Sequence, residues 1–347
     1  MKSKVTAQDV AKLANMSQSA VSRTFTPGAS VSEDTRARVM IAAKSLGYRP
    51  NAMARSLITR RSHIIALVMG YLENQFYPLV IEKLSQKLQK QGYHVLMFIS
   101  DGDETDGVLD EILQYQIDGI VMASAMLSPD LARQCADSGV SVVLFNRVPD
   151  TSALARHSTS SVTSDNREGG RLAAQLLLAR GHKHIAYIAG LEKSSTNLER
   201  ERGFNEVIAD AGATVFRRGM GHYSFERARD AARAMFAGVP AAKRPDAVFV
   251  ANDHMAIAVM DVLRHELDLR VPEDVSVVGF DDVPQAAWES YRLTTVVQEV
   301  DPMVDATVEL LHEQMQDGAL PRNVVIPCRM VERSSVRALR KRASTRS

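Results

Sequence analysis

The sequence predicts an N-terminal all-α headpiece followed by an α/β body with two similar lobes. Three observations lead there. Residues 1–62 contain successive segments with helix caps and helical apolar spacing. From Ile64 onward, strand-like apolar runs alternate with stretches of helix length, and after Ser161 the alternation restarts. Charge is also partitioned: residues 1–62 hold eleven Lys and Arg against three Asp and Glu, while the remainder holds 31 against 38. The formal net charge of +1 conceals this asymmetry. A basic end on an acidic body suits a chain of which one part meets a polyanion and the other does not.

Composition narrows the function classes. The 347 residues suffice for two or three domains, and 45% hydrophobic with 24% charged residues is ordinary for a globular chain. No apolar run reaches the roughly 18 residues of a transmembrane helix. The opening MKSKVTAQDV lacks the apolar core of an export signal. Cys135 and Cys328 are the only cysteines and have no partner at ligand spacing, which fits a reducing cytoplasm without disulfides, zinc or another cofactor. G-x-S-x-G, P-loop, H-E-x-x-H and dinucleotide glycine motifs are absent, so no catalytic site is expected. His182 and His184 flank a lysine without a third ligand, which suggests a surface connection rather than a metal site.

In the headpiece, Thr6 caps a first helix, with Asp9 completing a capping-box-like pair. Val10, Leu13 and Ala14 form its apolar face. Asn15-Met16 turns the chain, and Ser17 caps a second helix through Phe25. Ala20, Val21 and Phe25 face inward there, leaving Gln18, Ser19, Ser22 and Arg23 outward. Thr26-Pro27-Gly28 breaks the pattern. A third helix runs from the Ser32 cap through Val39, Ile41 and Leu46 to Gly47. Two helices joined by a tight turn and backed by a third make a helix-turn-helix unit. Gln18 has the paired groups to read adenine, and Arg23 those to read guanine. An ordinary three-helix bundle with a polar outer face would show the same periodicity.

In the body, IIALVM, HVLMFI, GIVMAS and SVVLFN form the first series of strands, and IAYIAG, AVFVAN and SVVGFD the second. TTVVQ and VVIPCRMV then return the chain between the lobes. Runs of this kind imply parallel sheets covered by helices, with ligands bound outside the carboxyl ends of the strands.

Thr6-Ala7-Gln8-Asp9-Val10-Ala11, Ser17-Gln18-Ser19-Ala20-Val21-Ser22-Arg23 and the run from Leu46 to Leu57 (LGYRPNAMARSL) together resemble the N-terminal signature of the lac repressor family. Phe25-Thr26 departs from that family's usual smaller aliphatic residue and Asn. The resemblance continues through Glu73-Asn74-Gln75-Phe76-Tyr77, Asp165-Asn166, Gly181-His182-Lys183-His184-Ile185, Arg200-Glu201-Arg202-Gly203-Phe204, Ala251-Asn252-Asp253, Gly279-Phe280-Asp281-Asp282 and Thr294-Thr295-Val296-Val297-Gln298. Gln75 stands where proline is common.

The resemblance implies a helix-turn-helix headpiece at 1–48, a hinge helix and linker at 49–61, and a periplasmic-binding-protein-like effector and dimerisation domain at 62–340. A basic tail at 341–347 lacks the leucine heptads of a tetramer. It also implies a regulator, most simply a repressor, whose partners are double-stranded operator DNA, a small-molecule effector and a second copy of the chain. DNA contacts fall on Thr6, Ser17, Gln18, Ser19, Ser22, Arg23, Ala54, Arg55 and Leu57, the last being the leucine wedge of the minor groove. As a plain helix, Leu57 would read instead as a packing leucine. Effector contacts fall on Phe76, Tyr77, Asn146, Arg200, Tyr223, Asn252, Asp281 and Gln298, a set suited to a sugar or sugar derivative. Arg200 would also accept an anionic sugar. Arg200 and Asp281 as a lobe-to-lobe ion pair, with Tyr223 in the core, is the competing structural reading. Ala123 replaces a polar residue used by some relatives. A solute-binding protein would share the body but lack the headpiece.

Overall fold

The computed structural model describes residues 5–26, 28–50, 61–99, 111–123, 134–135, 137–148, 159–316 and 319–338. The chain divides into two compact units, Met1–Ser62 and His63–Ser347.

Among its described residues, the first unit has three helices: α1 (Ala7–Ala14), α2 (Gln18–Thr24) and α3 (Glu33–Leu46). Thr6 and Asp9 form a reciprocal capping box: the Thr6 amide donates to Asp9 Oδ2 at 2.9 Å and the Asp9 amide to Thr6 Oγ1 at 3.3 Å. These bonds hold the Asp9 carboxyl below its ordinary range. Asn15 ends α1 at φ 51°, a left-handed conformation that Asn tolerates, and Ser17 caps α2 by accepting from the Ala20 amide. Val10, Ala11, Ala14, Val21, Val39, Ala42 and Ala43 form the core, edged by Phe25 and Tyr48. Leu13 and Ile41 depart from the sequence reading, being 56% and 70% exposed. The short helices leave room inside only for the Val10 and Val39 stripes. Two basic residues of α3 work internally: Arg36 donates to the Thr24 carbonyl and Arg38 to the Ala14 carbonyl, closing the ends of α2 and α1.

The second unit holds two six-stranded sheets. The first runs β11–β5–β4–β3–β1–β2, with β1 Ile64–Met69, β2 His94–Ile99, β3 Gly119–Ala123, β4 Ser141–Phe145, β5 Ser160–Ser164 and β11 Asn323–Ile326, all parallel. The second runs β12–β10–β9–β8–β6–β7, with β6 Ile185–Ala189, β7 Arg217–Met220, β8 Ala247–Val250, β9 Ser276–Asp281, β10 Thr294–Val297 and β12 Arg329–Val331. It is parallel except for β12, which is antiparallel to β10. IIALVM, GIVMAS, SVVLFN, IAYIAG, AVFVAN and SVVGFD supply central strands buried on both faces, as helix-covered parallel sheets require, whereas HVLMFI is the edge strand β2 and leaves Met97 and Ile99 exposed.

Helices α4 (Phe76–Lys90) and α9 (Val300–Gln314) belong to the first lobe. Helices α5 (Asn166–Ala179), α6 (Ser195–Asp210), α7 (Phe225–Phe236) and α8 (Asp253–Asp261) belong to the second. The chain passes between lobes after β5, after β10 and between β11 and β12. Pro327 splits VVIPCRMV into two strands of different sheets, since it lacks the amide that a continuing ladder needs. Helices α5 and α6 approach closely over glycines: a Cβ on Gly170 would lie 2.1 Å from the Arg200 carbonyl oxygen, and one on Gly203 1.9 Å from that of Arg167. That approach sets where α6 places Arg200. Among the described residues, no helix is long and apolar enough to cross a membrane.

Candidate functional site

Two surfaces combine the residues singled out above. On the headpiece, Ser17, Gln18, Ser19, Ser22 and Arg23 are all exposed along one side of α2, while Val21 and Thr24 face the core. The Arg23 guanidinium reaches back only to the Ser19 carbonyl at 3.4 Å, which leaves most of its donors free for a base edge or phosphate. Thr6 is exposed at the start of α1, its hydroxyl donating to Asp9 at 2.7 Å. Ala54, Arg55 and Leu57 lie outside the described residues.

In the body, the carboxyl ends of the strands meet in a cleft lined by Tyr71, Asn74, Tyr77, Asn146, Arg147, Thr196, Arg200, Tyr223, Asn252 and Asp281. Six of the eight effector positions expected from sequence are therefore gathered there. Phe76 is in the core instead, packed on Tyr77 and Phe145, and Gln298 supports the cleft from behind. Tyr71, Asn74, Arg147 and Thr196 were not singled out. Asn74 lay inside a quoted motif and Arg147 directly follows Asn146, so position after a strand was the available signal.

Asp281, at the end of β9, is the hub. Its Oδ1 accepts from Gln298 Nε2 at 2.6 Å, and its Oδ2 from Asn74 Nδ2 at 3.2 Å across the lobes. Arg200 Nη1 lies 3.9 Å away, and both side chains are buried. Arg200 and Asp281 belong to the same lobe, so theirs is not a lobe-to-lobe pair; Asn74 to Asp281 and Arg147 to Thr196 are contacts that do cross. Arg200 is fixed further by Asn166 Oδ1 at 2.8 Å, by the Ala251 carbonyl and by the Phe280 ring, whose centroid is 3.6 Å from Cζ.

Other cleft groups keep open valences. Asn252 caps α8 by accepting from the Met255 amide at 3.0 Å, and its Nδ2 has no partner. Asn146 donates to Tyr77 at 3.5 Å, and its Oδ1 has no partner. Tyr223 shares a 3.2 Å hydrogen bond with Thr196 and lies over Gly190, where a Cβ would come within 2.1 Å of the ring. Tyr71, Asn146, Tyr223 and Asp281 all have positive φ, so the cleft wall concentrates backbone conformations that L residues rarely adopt.

Behind the wall, Asp253 is fully buried and accepts from Thr295 Oγ1 at 2.6 Å and from the Val283 amide at 3.0 Å. Burial, then the negative charge of Asp281, raises its pKa above the ordinary 3.8. A raised carboxyl retains its proton in the folded chain at pH values where the unfolded chain has lost it. Stability is therefore greatest below the ordinary pKa and falls as pH rises through the raised one. Thermal melts from about pH 5 to about pH 8 should show this decline, and Asp253→Asn should flatten it. An equally steep decline in the variant would reject Asp253 as its source.

His182 corrects a sequence expectation: its side chain is buried rather than at the surface, with Nδ1 3.3 Å from Asp246 Oδ2. Among the described residues, no group of three His, Cys, Asp or Glu side chains could hold a metal.

Both units have counterparts among known proteins. Residues 6–51 match the model for bacterial regulatory proteins of the lacI family, and residues 175–336 that for a periplasmic binding protein-like domain. The chain is 33% identical over 337 residues to the HTH-type transcriptional repressor PurR of Aliivibrio fischeri, covering 95% of this chain and 98% of that one. It is 30% identical over 338 residues to the ribose operon repressor of Escherichia coli, covering 95% and 99%. Among solved structures, a complex of the transcriptional regulator CelR with cellobiose aligns at 29% identity and TM-score 0.71, covering 96% of this chain and 100% of that one. A lac repressor dimer bound to operator and the anti-inducer ONPF shares the fold at 24% identity and TM-score 0.85, covering 97% and 100%. The chain belongs to the lacI family of bacterial regulatory proteins.

Proposed function

We propose that the chain is a dimeric cytoplasmic repressor that reads operator DNA with α2 and releases or holds it according to a small polyhydroxylated effector in the cleft. The observation that carries the effector class is the mixture of open polar groups: a carboxylate acceptor at Asp281, an open acceptor at Asn146 Oδ1 and an open donor at Asn252 Nδ2. Vicinal hydroxyls donate and accept at once and so satisfy both kinds. The Tyr223 ring offers an aromatic face to the C–H side of a sugar. A sugar, cellobiose, occupies the related CelR complex.

Binding acts through a population shift. A ligand that contacts both lobes favours the arrangement in which Asn74 reaches Asp281, and operator affinity changes to the extent that DNA prefers one arrangement. The domain limits 1–48, 49–61 and 62–340 give this proposal its division of labour, with Ala54, Arg55 and Leu57 as the minor-groove contacts.

Titration of the chain against labelled near-palindromic duplexes at several salt concentrations tests the DNA half. Specific, strongly salt-dependent binding that responds to a sugar is expected. Equal affinity for all duplexes, or none, would reject it. Within the same assay, Arg23→Ala should cost about 1–3 kcal/mol and relax preference at particular base pairs. A uniform loss across all duplex variants would reduce Arg23 to a phosphate contact.

A further inference from the structure

We infer that the effector is an anion: a small polyol with a carboxylate or phosphate at one end, and that Arg147 receives the charge. The inference rests on the cleft being the effector site.

Arg147 and Arg200 are the two buried arginines among the described residues, 4% and 2% exposed, and both line the cleft. Their surroundings differ. Arg200 has Asp281 at 3.9 Å, an aromatic face and two acceptors. Arg147 follows β4 on the other lobe, and no carboxylate among the described residues pairs with it. Its Nη1 carries both of its hydrogen bonds, to the Asn146 carbonyl at 2.8 Å and to Thr196 Oγ1 at 3.2 Å. Its Nε is buried with no partner.

Thr196 lies in the first turn of α6, a sixteen-residue helix whose N-terminal end is the positive pole of its dipole. A buried cation and a positive helix end thus stand side by side without a counter-charge. Such a grouping is unfavourable in an empty cleft and favourable around an anion. The unused Nε edge of a guanidinium is a side-on receptor for two oxygens of a carboxylate or phosphate. The hydroxyls of Thr196 and Tyr223 can donate beside it.

The opposite end of the cleft imposes the second half of the ligand. Asp281 repels an anion but accepts hydroxyl protons, so the charge must be confined to the Arg147 end.

Calorimetry and thermal shift on the full chain distinguish the sources of the charge. Glucose, galactose and ribose are the neutral probes; gluconate, glucuronate and galacturonate the carboxylates; glucose 6-phosphate and ribose 5-phosphate the phosphates; adenine and hypoxanthine the planar controls. At least one anion should bind at least about tenfold more tightly than its neutral parent. Arg147→Gln should remove most of that advantage, weakening the anion about tenfold more than it weakens the neutral parent. Without ligand, Arg147→Met should raise Tm by about 2–4 °C, because it removes an unpaired buried charge.

Neutral sugars binding as tightly as their acids and phosphates would overturn the anion and, if Asp281→Asn weakens them, leave the polyol cleft standing. Binding by the planar bases alone would overturn both. Should no probe bind, the melt decides: an unchanged or lower Tm in Arg147→Met overturns the inference, and a rise supports it.

Discussion

Gly203→Ala is expected to destabilise the body by about 3 kcal/mol or more, the upper range for overpacking. The added methyl would sit 1.9 Å from the Arg167 carbonyl oxygen, a backbone atom that no rotamer change can withdraw. Relief requires α6 to move away from α5. That movement carries Arg200 out of register with Asn166 and Asp281, and Thr196 away from Arg147. The variant should therefore lose effector binding along with stability, while its headpiece, a separate unit, keeps its helices. Chemical denaturation followed by circular dichroism, beside effector titration at low temperature, checks both parts. A loss under about 1 kcal/mol would mean that the two helices separate easily and that the glycine contact does not set the cleft.

Asp281→Asn should leave ligand-free operator binding intact and remove most of the effector response. The carboxylate accepts from two amide nitrogens, Gln298 Nε2 and Asn74 Nδ2, and stands beside a guanidinium. An Asn there turns one acceptor into a donor facing other donors, whichever way the amide lies. The effector hydroxyl that the carboxylate would accept loses a charged partner, at a cost of about 1.5–3 kcal/mol. The cross-lobe bond from Asn74 weakens at the same time. Operator binding with and without effector, set beside calorimetry, gives the two readouts. Undiminished effector affinity would make Asp281 a support for the lobes and move the ligand contacts elsewhere.

How far the fold was legible depended on how each strand is buried. IIALVM and SVVGFD announce themselves because both faces of β1 and β9 lie under apolar side chains. SSVTS, which is β5, is equally buried but carries no apolar signal. Its hydroxyls serve neighbours instead: Ser161 donates to Asn323, Ser164 to Gln298, and Ser160 accepts from the Arg322 amide. A polar strand at the seam of two lobes cannot be told from a loop by hydropathy. The edge strand β7 escaped for a related reason, since RRGM is covered on one side only. Helix caps, by contrast, were readable: Thr6, Ser17 and Ser32 each accept from the amide that their spacing indicates. At the cleft, the family resemblance pointed to Asn146, Asn252 and Asp281, which stand at or just after strand ends. Asn74 and Thr196 come from loops and helix starts, whose reach depends on how the two lobes face each other.

The order in which the first sheet is completed bears on how the chain folds during synthesis. Strand β11 joins β5 only when residues 323–326 have been made, more than 150 residues after β5, and α9 covers β4 and β5 at nearly the same late point. Until then the inner face of β4, with Val143, lacks the cover of α9, although Phe76 of α4 already reaches Phe145. The headpiece has no such wait, because its core is built from residues 7–48. A nascent chain therefore acquires its DNA-reading unit first and its ligand-reading unit last. Over that interval it carries an unpaired strand edge at β5 and a partly uncovered apolar face at β4, the kind of surface that holdase chaperones recognise and through which incomplete chains aggregate.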